Sequence, residues 1–578
     1  MSDRILRIDM TSGSTVFEPV PEAWAGLGGR GLTSAIVAAE VPPTCHPLGK
    51  NNKLVFAPGL LSGTRAANSG RLSAGAKSPL TGTIKESNAG GTSARMLALM
   101  GIKAIIIEGM PEEKKLFGIH VTHDSARIVE TDMAGAGNFS VVEKLSGEEG
   151  GKAGVISIGP AGEMAMPSAN ISVKDPQGRV RSLGRGGLGA VMGSKGIKYL
   201  SIDPSDAPGI SYADENAFKE ASKVFAKALT EHPVSGEGLP TYGTNVLLNV
   251  LHEAGGLPTR NFRTGSFDGH EGISGETMHA RIEERGGEGR VRHSCHPGCV
   301  IQCSQVYPDK NGKVKASGFE YESVWAMGAN CGIDDLDALA EADHMLDDIG
   351  MDTIEFGVTM GVAMEAGILS FGDASGMLRI LKEEVTKGSP LGRLVGAGAE
   401  CLGKAYGMRR VPTVKGQSIP AYDPRSVKGM GITYATSTMG ADHTAGYTVT
   451  SNILNVGGMV DPLKKEGQVE LSRNLQIATA AIDSTGLCLF VAFPVLDIPE
   501  SFNAIVDMLN ARFGLSLTGD DVSALGTSIL KTEREFNRKA GFTEAADRLP
   551  EFFSEETLPP HNTIWDFSDA EVDAFWEF

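Results

Sequence analysis

The chain has 578 residues, of which 21% are charged and 6% aromatic, and its formal net charge is −18. That length allows roughly two to four domains with sizeable cores, and the negative balance excludes a nucleic-acid surface as the main function. No run of about 18 apolar residues offers a membrane span, Met1 to Arg7 lack the apolar core of a secretory leader, and seven cysteines in so long a chain point to a reducing, cytoplasmic compartment.

Residues 1–205 read as a β-rich N-terminal domain. Ile5 to Met10 alternate, Ser12-Gly13 turns, and Thr15 to Phe17 return, which is a hairpin signal. Short apolar runs follow at 54–57, 104–107, 117–121, 155–158 and 197–200. The segments 68–72, 86–91 and 181–189 read as glycine-rich connections between them. Glycine lets backbone amides approach an anion, and Arg71, Arg181 and Arg185 add forked donors, so these connections suit a phosphate cradle. Plain strand-connecting turns remain the alternative. None is a Walker loop or a strand–GxGxxG–helix unit.

The stretch Asp203 to Gly209 reads as a linker, and beyond it the chain is mainly helical. Helical periodicity covers 217–230, 335–349, 353–366, 375–388, 392–406, 469–482, 500–513 and 520–540. A second boundary near Val411-Pro412-Thr413 divides this part into helical domains over 206–412 and 413–578. The fold class expected is therefore α+β.

Between the helical segments, Arg292 to Cys303 hold three cysteines at C-x3-C-x3-C spacing. Such close cysteines bridge poorly with one another, whereas clustered thiolates are soft ligands for zinc or an iron–sulfur cluster. Cys295, Cys299 and Cys303 then need a fourth partner. Cys45, Cys331 and Cys401 lie singly and read as buried packing residues. Cys488 is the natural fourth thiolate, because it ends an echo: Asp347-Asp348-Ile349-Gly350-Met351-Asp352 and Asp483-Ser484-Thr485-Gly486-Leu487-Cys488 both read D-x-x-G at the end of a helical pattern. Each aspartate can accept hydrogen bonds from a planar heterocycle carrying N–H groups. Two unrelated helix caps would look the same. On the helix over 335–349, Glu341 and His344 form an E-x-x-H pair able to reach one metal, or belong to a surface ionic stripe with Asp337 and Asp348.

These residues, with Ser78-Pro79-Leu80-Thr81-Gly82, Ser87-Asn88-Ala89-Gly90-Gly91, Gly184 to Lys195, Glu320 to Asn330, Ala421 to Arg425 and Ile482 to Phe490, resemble the aldehyde:ferredoxin oxidoreductase family over residues 1 to about 545. The resemblance implies a β-sheet base domain that holds two pyranopterins bearing tungsten or molybdenum, with two helical domains above it. Arg71, Asn88, Arg181, Ser182, Leu183 and Gly184 match positions that handle the pterin phosphates and a magnesium ion between them. Asp347, Gly350 and Asp352 would grip one pterin, and Asp483, Gly486 and Leu487 the other. Glu322 and His443 match the acid/base pair of aldehyde oxidation, and Asp442 would add a negative charge beside them. Glu341 and His344 match a pair that holds a mononuclear iron between two subunits.

The family's cluster motif is C-x2-C-x3-C with a distant fourth cysteine. Aligned on Cys295 and Cys299, it puts Arg292 at the first ligand. Cys303 is then expected to replace that thiolate, giving a 4Fe-4S cluster on Cys295, Cys299, Cys303 and Cys488. The expected partners are a small aldehyde and a ferredoxin or small iron–sulfur subunit, in a homodimer or hetero-oligomer. Two other readings are a low-potential reductase of aromatic acyl-CoA thioesters, a branch that lacks the Glu322–His443 pair, and a non-catalytic electron-transfer subunit.

Overall fold

The computed structural model describes residues 3–148 and 151–578; Met1 and Ser2, the start of the segment read for a leader, lie outside them. The fold is α+β. Two six-stranded sheets come first. One is built from β1 (Arg4–Asp9), β2 (Ser14–Pro19), β3 (Leu54–Pro58), β4 (Leu72–Lys77), β5 (Ile84–Ala89) and β6 (Ile102–Glu108). The other uses β7 (Phe117–Val121), β8 (Ala126–Glu130), β9 (Gly154–Ser157), β10 (Ile171–Lys174), β11 (Val180–Leu183) and β12 (Ile197–Ile202).

The spatial orders are β2-β1-β6-β3-β4-β5 and β8-β7-β12-β9-β10-β11. Only β1–β6 and β7–β12 pair in parallel; the other neighbours are antiparallel. The second sheet thus repeats the first strand for strand. The repeat extends to register, since Ser73 pairs with Asn88 as Ser172 pairs with Ser182. Leu54, Phe56, Ile105 and Ile107 of one sheet share an apolar core with Ile119, Ile156, Leu200 and Ile202 of the other. Each such side chain contributes about 1.5–3 kcal/mol by leaving water.

Every apolar run read as a strand forms one. The glycine-rich segments differ from expectation. They are not connections throughout: β5 occupies most of 86–91, β11 begins 181–189, and β4 starts at Leu72. β5 carries buried Lys85 and Glu86, so its polar sequence reflects what it faces rather than a loop. The helix Gly29–Glu40 is likewise absent from the sequence reading.

The later helices largely follow the expected periodicity. The segment 375–388 changes from α to π winding at Ile380–Val385. The segment 392–406 is two helices, broken before Ala399 by Gly398 at φ 92°. A three-stranded sheet of β13 (Arg290–His293), β14 (Ser304–Pro308) and β15 (Val314–Ser317) interrupts the helical part, and the cysteine stretch loops between β13 and β14. The helix Gln468–Thr485 packs on both Gly29–Glu40 and Gly519–Lys539, tying the end of the chain to its beginning. No helix among the described residues is long and apolar enough to cross a membrane.

Candidate active site

Both D-x-x-G stretches end helices against the sheets. Leu336–Ile349 stops at Gly350 (φ 74°) and Gln468–Thr485 at Gly486 (φ 80°), each in the left-handed conformation that glycine adopts without a Cβ penalty. The contacts follow the internal repeat. Gly59, just after β3, lies so near the second turn that a Cβ there would sit 2.0 Å from the Gly486 nitrogen; a Cβ on Gly159, after β9, would sit 2.3 Å from the Ile349 carbonyl. The amide of Arg71, before β4, donates to the Gly486 carbonyl at 3.1 Å, and that of Asn170, before β10, donates to the Gly350 carbonyl at 2.9 Å.

Two adjoining cavities lie beside these turns. The larger, of about 340 Å³, is lined by Asp347, Asp352, Asp343, Arg181, Ser182, Glu322 and Tyr422 among others. The smaller, of about 160 Å³, is lined by Asp483, Asn88, Glu86, Arg30 and Asp442. Arg71, Gly184, Arg185, His443 and Leu489 border both. The structure thus gathers most of the expected cofactor residues around one space. Leu183 and Leu487, whose side chains lie in the apolar core, and the turn glycines Gly350 and Gly486 do not line it.

Charge in this space is finely divided. Burial raises the carboxyls of Glu320, Asp343, Asp352 and Asp483, and pushes Asp347 and Glu86 up to about 7. The counter-charges are Arg30, Arg71, Arg181 and Arg185. Arg71 is bonded through Nε to Asn88 Oδ1 and through Nη2 to the Asn88 carbonyl at 2.8 Å. Arg181 donates to Asp175 and to Ser317, each at 3.1 Å. Arg185 donates to Asp352 at 3.3 Å and to the Ala441 carbonyl at 2.7 Å.

Glu322 and His443 meet, with His443 Nε2 3.5 Å from Glu322 Oε1. The contact is not an ion pair. Burial pushes Glu322 up to about 8 against the pull of Arg185 and of the Ala421 amide. Burial also lowers His443 to about 4, with Arg185 and Lys85 adding to the effect and Asp442 opposing it. At neutral pH both groups are therefore mainly uncharged. Glu322 Oε2 accepts from the Ala421 amide at 3.2 Å, while Oε1 and His443 Nδ1 have no hydrogen-bond partner. Asp442 does carry the negative charge expected beside the pair, but it carries it in an ion pair. It pairs with buried Lys85 at 3.0 Å, and Lys85 and Arg185 outweigh burial to hold it below the usual carboxylate range.

The four expected thiolates converge. Cys295, Cys303 and Cys488 line the larger cavity, and Cys299 adjoins Cys295. Asn68, in the left-handed region at φ 58°, ties the loop to Cys488. Its Oδ1 accepts from Val300 N at 3.0 Å, its Nδ2 donates to Cys299 Sγ at 3.7 Å, and its carbonyl accepts from Cys488 N at 2.9 Å. Burial raises the Cys303 and Cys488 thiols, and the other thiolates add to the effect. Thiolates gathered here, two of them buried and two half-buried, repel one another, so the arrangement suits a cationic guest. All seven cysteines are free; contrary to expectation, Cys401 is exposed, while Cys331 is buried and Cys45 half-buried.

One residue escaped the sequence reading. Cys295, His296 and Cys299 bring three ligand atoms within 4.8 Å of one another, and His296 is fully buried. Its only sequence signal is its place between two of the cysteines.

Glu341 and His344 do not gather a site from this chain among the described residues. Glu341 forms an ion pair with Lys315, and His344 stacks on Phe139 with ring centroids 4.6 Å apart.

Comparison with known proteins gives a consistent picture. Residues 5–204 match the family model of the aldehyde ferredoxin oxidoreductase N-terminal domain, and residues 220–575 match that of domains 2 and 3. The tungsten-containing aldehyde ferredoxin oxidoreductases of Pyrococcus furiosus and Thermococcus kodakarensis are each 36% identical, over 96% of this chain and 92% of theirs. The WOR-like subunit of an aliphatic sulfonate oxidoreductase of Pyrococcus furiosus is 26% identical over 88% of this chain and 81% of its own. Among solved structures, the active-site complex BamBC of benzoyl coenzyme A reductase, with 1,5-dienoyl-CoA, superposes with a TM-score of 0.81. It is 17% identical and covers 100% of this chain and 94% of that one, a likeness of fold.

Proposed function

The chain belongs to the aldehyde ferredoxin oxidoreductase family, and from that premise we propose that it oxidises a small aldehyde to the carboxylic acid, with water as the oxygen source. One aldehyde and one water give one acid, two protons and two electrons. The observation that carries this reading is the Glu322–His443 pair, two half-buried and mutually neutral groups with unpartnered atoms in the cavity between the two D-x-x-G turns.

The cavity suits a polar guest. Asn170 Oδ1, Ser182 Oγ, Ser304 Oγ and Asp343 Oδ2 belong to residues that line it, and all four atoms are buried without a hydrogen-bond partner. Such atoms are rarely left unpaired. When bound, a tungsten or molybdenum bis-pyranopterin supplies the two-electron acceptor and a 4Fe-4S cluster a one-electron relay. Asp347, Asp352 and the Gly350 turn would hold one pterin, and Asp483 with the Gly486-Leu487 backbone the other. Arg71, Asn88, Arg181, Ser182 and the Leu183-Gly184 backbone would hold the phosphates and a magnesium ion. Cys295, Cys299, Cys303 and Cys488 would ligate the cluster.

In this reading, Glu322 in its carboxylate form takes a proton from the attacking water. His443 donates a ring N–H to the carbonyl oxygen as negative charge develops there. Reversal, the reduction of an acid, needs only a strong electron donor. The external acceptor is a ferredoxin or a small iron–sulfur subunit in the cytoplasm. A mononuclear iron at Glu341 and His344 would require donors from a second subunit and displacement of Lys315.

Protein purified without oxygen tests the reading through metal content, released pterin and aldehyde-dependent reduction of a viologen dye. Tungsten or molybdenum near one per chain, two pterins, about four irons and aldehyde turnover are expected. Zinc alone, or iron without pterin, would overturn it in favour of a non-catalytic subunit.

A further inference from the structure

The histidine inside the cysteine loop has no role in the scheme above. His296 is fully buried, and its Nδ1 lies 3.2 Å from Cys295 Sγ. Its other ring nitrogen, Nε2, is buried without a partner. Two glycines of the first sheet's connections make room for the ring. A Cβ on Gly70 would stand 2.4 Å from the imidazole Cδ2, and one on Gly90 would stand 2.7 Å from Cys295 Sγ and 3.1 Å from His296 Nδ1. The ring is thus wedged between these two glycines and the thiol.

We infer that His296 donates a hydrogen bond from Nδ1 to the Cys295 thiolate and thereby sets the reduction potential of the cluster. The inference rests on the cluster assignment made above. A ligating thiolate can only accept, so the proton of the contact sits on Nδ1 and the lone pair falls to Nε2. The distance is that of a hydrogen bond. Sulfur and nitrogen ligands of one tetrahedral zinc, at bond lengths of about 2.3 and 2.0–2.1 Å, would lie about 3.6 Å apart.

Reduction adds negative charge, part of which falls on the thiolate sulfurs. A buried N–H donor stabilises that charge and raises the potential, because in a low dielectric the donor acts almost unscreened. Other donors to the thiolates also hold the loop: the Gln302 amide reaches Cys299 Sγ at 3.3 Å, and Asn68 Nδ2 does so at 3.7 Å. His296 acts on Cys295 through its side chain, so its donor can be removed without altering the loop backbone. It is a positioning residue for electron transfer, not a group that meets the substrate.

The test compares wild-type holoenzyme with His296→Leu and His296→Asn, reading iron content and the potential of the reduced cluster by electron paramagnetic resonance titration. Leucine removes the donor, whereas the asparagine amide places an N–H near the position of Nδ1. Four irons in all three proteins are expected, with the leucine variant's reduction equilibrium about tenfold less favourable, which is about 59 mV for one electron. Asparagine should restore most of that shift. An unchanged potential in both variants would overturn the inference, and so would loss of iron, which would make His296 a ligand. Wild-type protein without iron would instead sink the cluster assignment itself. Should the leucine variant not fold, pulsed resonance on wild-type enzyme labelled with ¹⁵N-histidine still decides. A weakly coupled nitrogen with an exchangeable proton is expected; strong coupling, or none, would overturn the proposal.

Discussion

Glu322 and His443 are useful because burial moves them in opposite directions. A carboxyl at about 8 and an imidazole at about 4 leave the pair uncharged where an ordinary Glu–His contact would be an ion pair. The base must be ionised to accept a proton, so the working fraction grows as pH rises through about 8. We expect kcat/KM to climb by nearly tenfold per pH unit below that value and to level off above it. His443 contributes no limb at neutral pH, because it has already lost its proton. A profile flat between pH 6.5 and 9, roughly the range that brackets a tuned carboxyl, would exclude Glu322 as the base. Glu322→Gln should keep metal, pterin and iron yet lose about two or more orders of magnitude in kcat; full activity with intact cofactors would count against the role. At this scale the sequence singled out the two residues but not their charge. Asp442 read as a negative charge without a partner in view, because Lys85, on β5, lies 357 positions away.

At the scale of elements, the polar strands β5 and β11 explain both what the sequence concealed and how the site is built. A strand that faces a polar cavity has no apolar alternation to display, so Glu86, Ser87 and Asn88 read as turn residues. Their places in the repeat are equivalent, Asn88 on β5 corresponding to Ser182 on β11. Each sheet also receives one helix end at a glycine. Gly59→Ala would drive a methyl group into the Gly486 backbone, with no side chain able to yield. We expect a cost of about 1–3 kcal/mol, seen as a lower thermal midpoint, together with loss of pterin from the half of the site that Asp483 borders. A variant that keeps its full pterin complement would show that the turn tolerates being pushed away from β3. The D-x-x-G echo was legible because a helix stop followed by glycine is a local signal. That its two copies face one connected space was not, since they lie on separate helices.

At the scale of the molecule, the early helix Gly29–Glu40 and the last long helix are joined by a buried charge. Arg30 donates to both oxygens of Glu533 at 3.0 and 2.9 Å and reaches Asp483 at 3.4 Å, while Ser34 adds a bond to Glu533 at 2.8 Å and Thr438 another at 2.6 Å. Glu533 is fully buried. Its removal would leave Arg30 with Asp483 as its remaining acidic hydrogen-bond partner, so Glu533→Ala should destabilise by about 3–5 kcal/mol. Thermal unfolding checks this, and an unchanged midpoint would mean that water or Asp483 replaces the lost partner. Because Asp483 borders the smaller cavity, the same change should also weaken pterin retention.

What the sequence by itself determined is what local chemistry encodes. Apolar runs became strands, amphipathic periods became helices, and four cysteines, two D-x-x-G turns and the Glu322–His443 pair stood out as residue types with a purpose. Only the tertiary structure decided the rest. It revealed that the two sheets are one unit repeated, that β4, β5 and β11 are strands, that Lys85 pairs with Asp442, and that His296 is wedged against the Cys295 thiol. Each of these depends on groups distant in the chain meeting in a low-dielectric interior. There, burial and partners reset charge and hydrogen bonding, and sequence spacing carries no record of either.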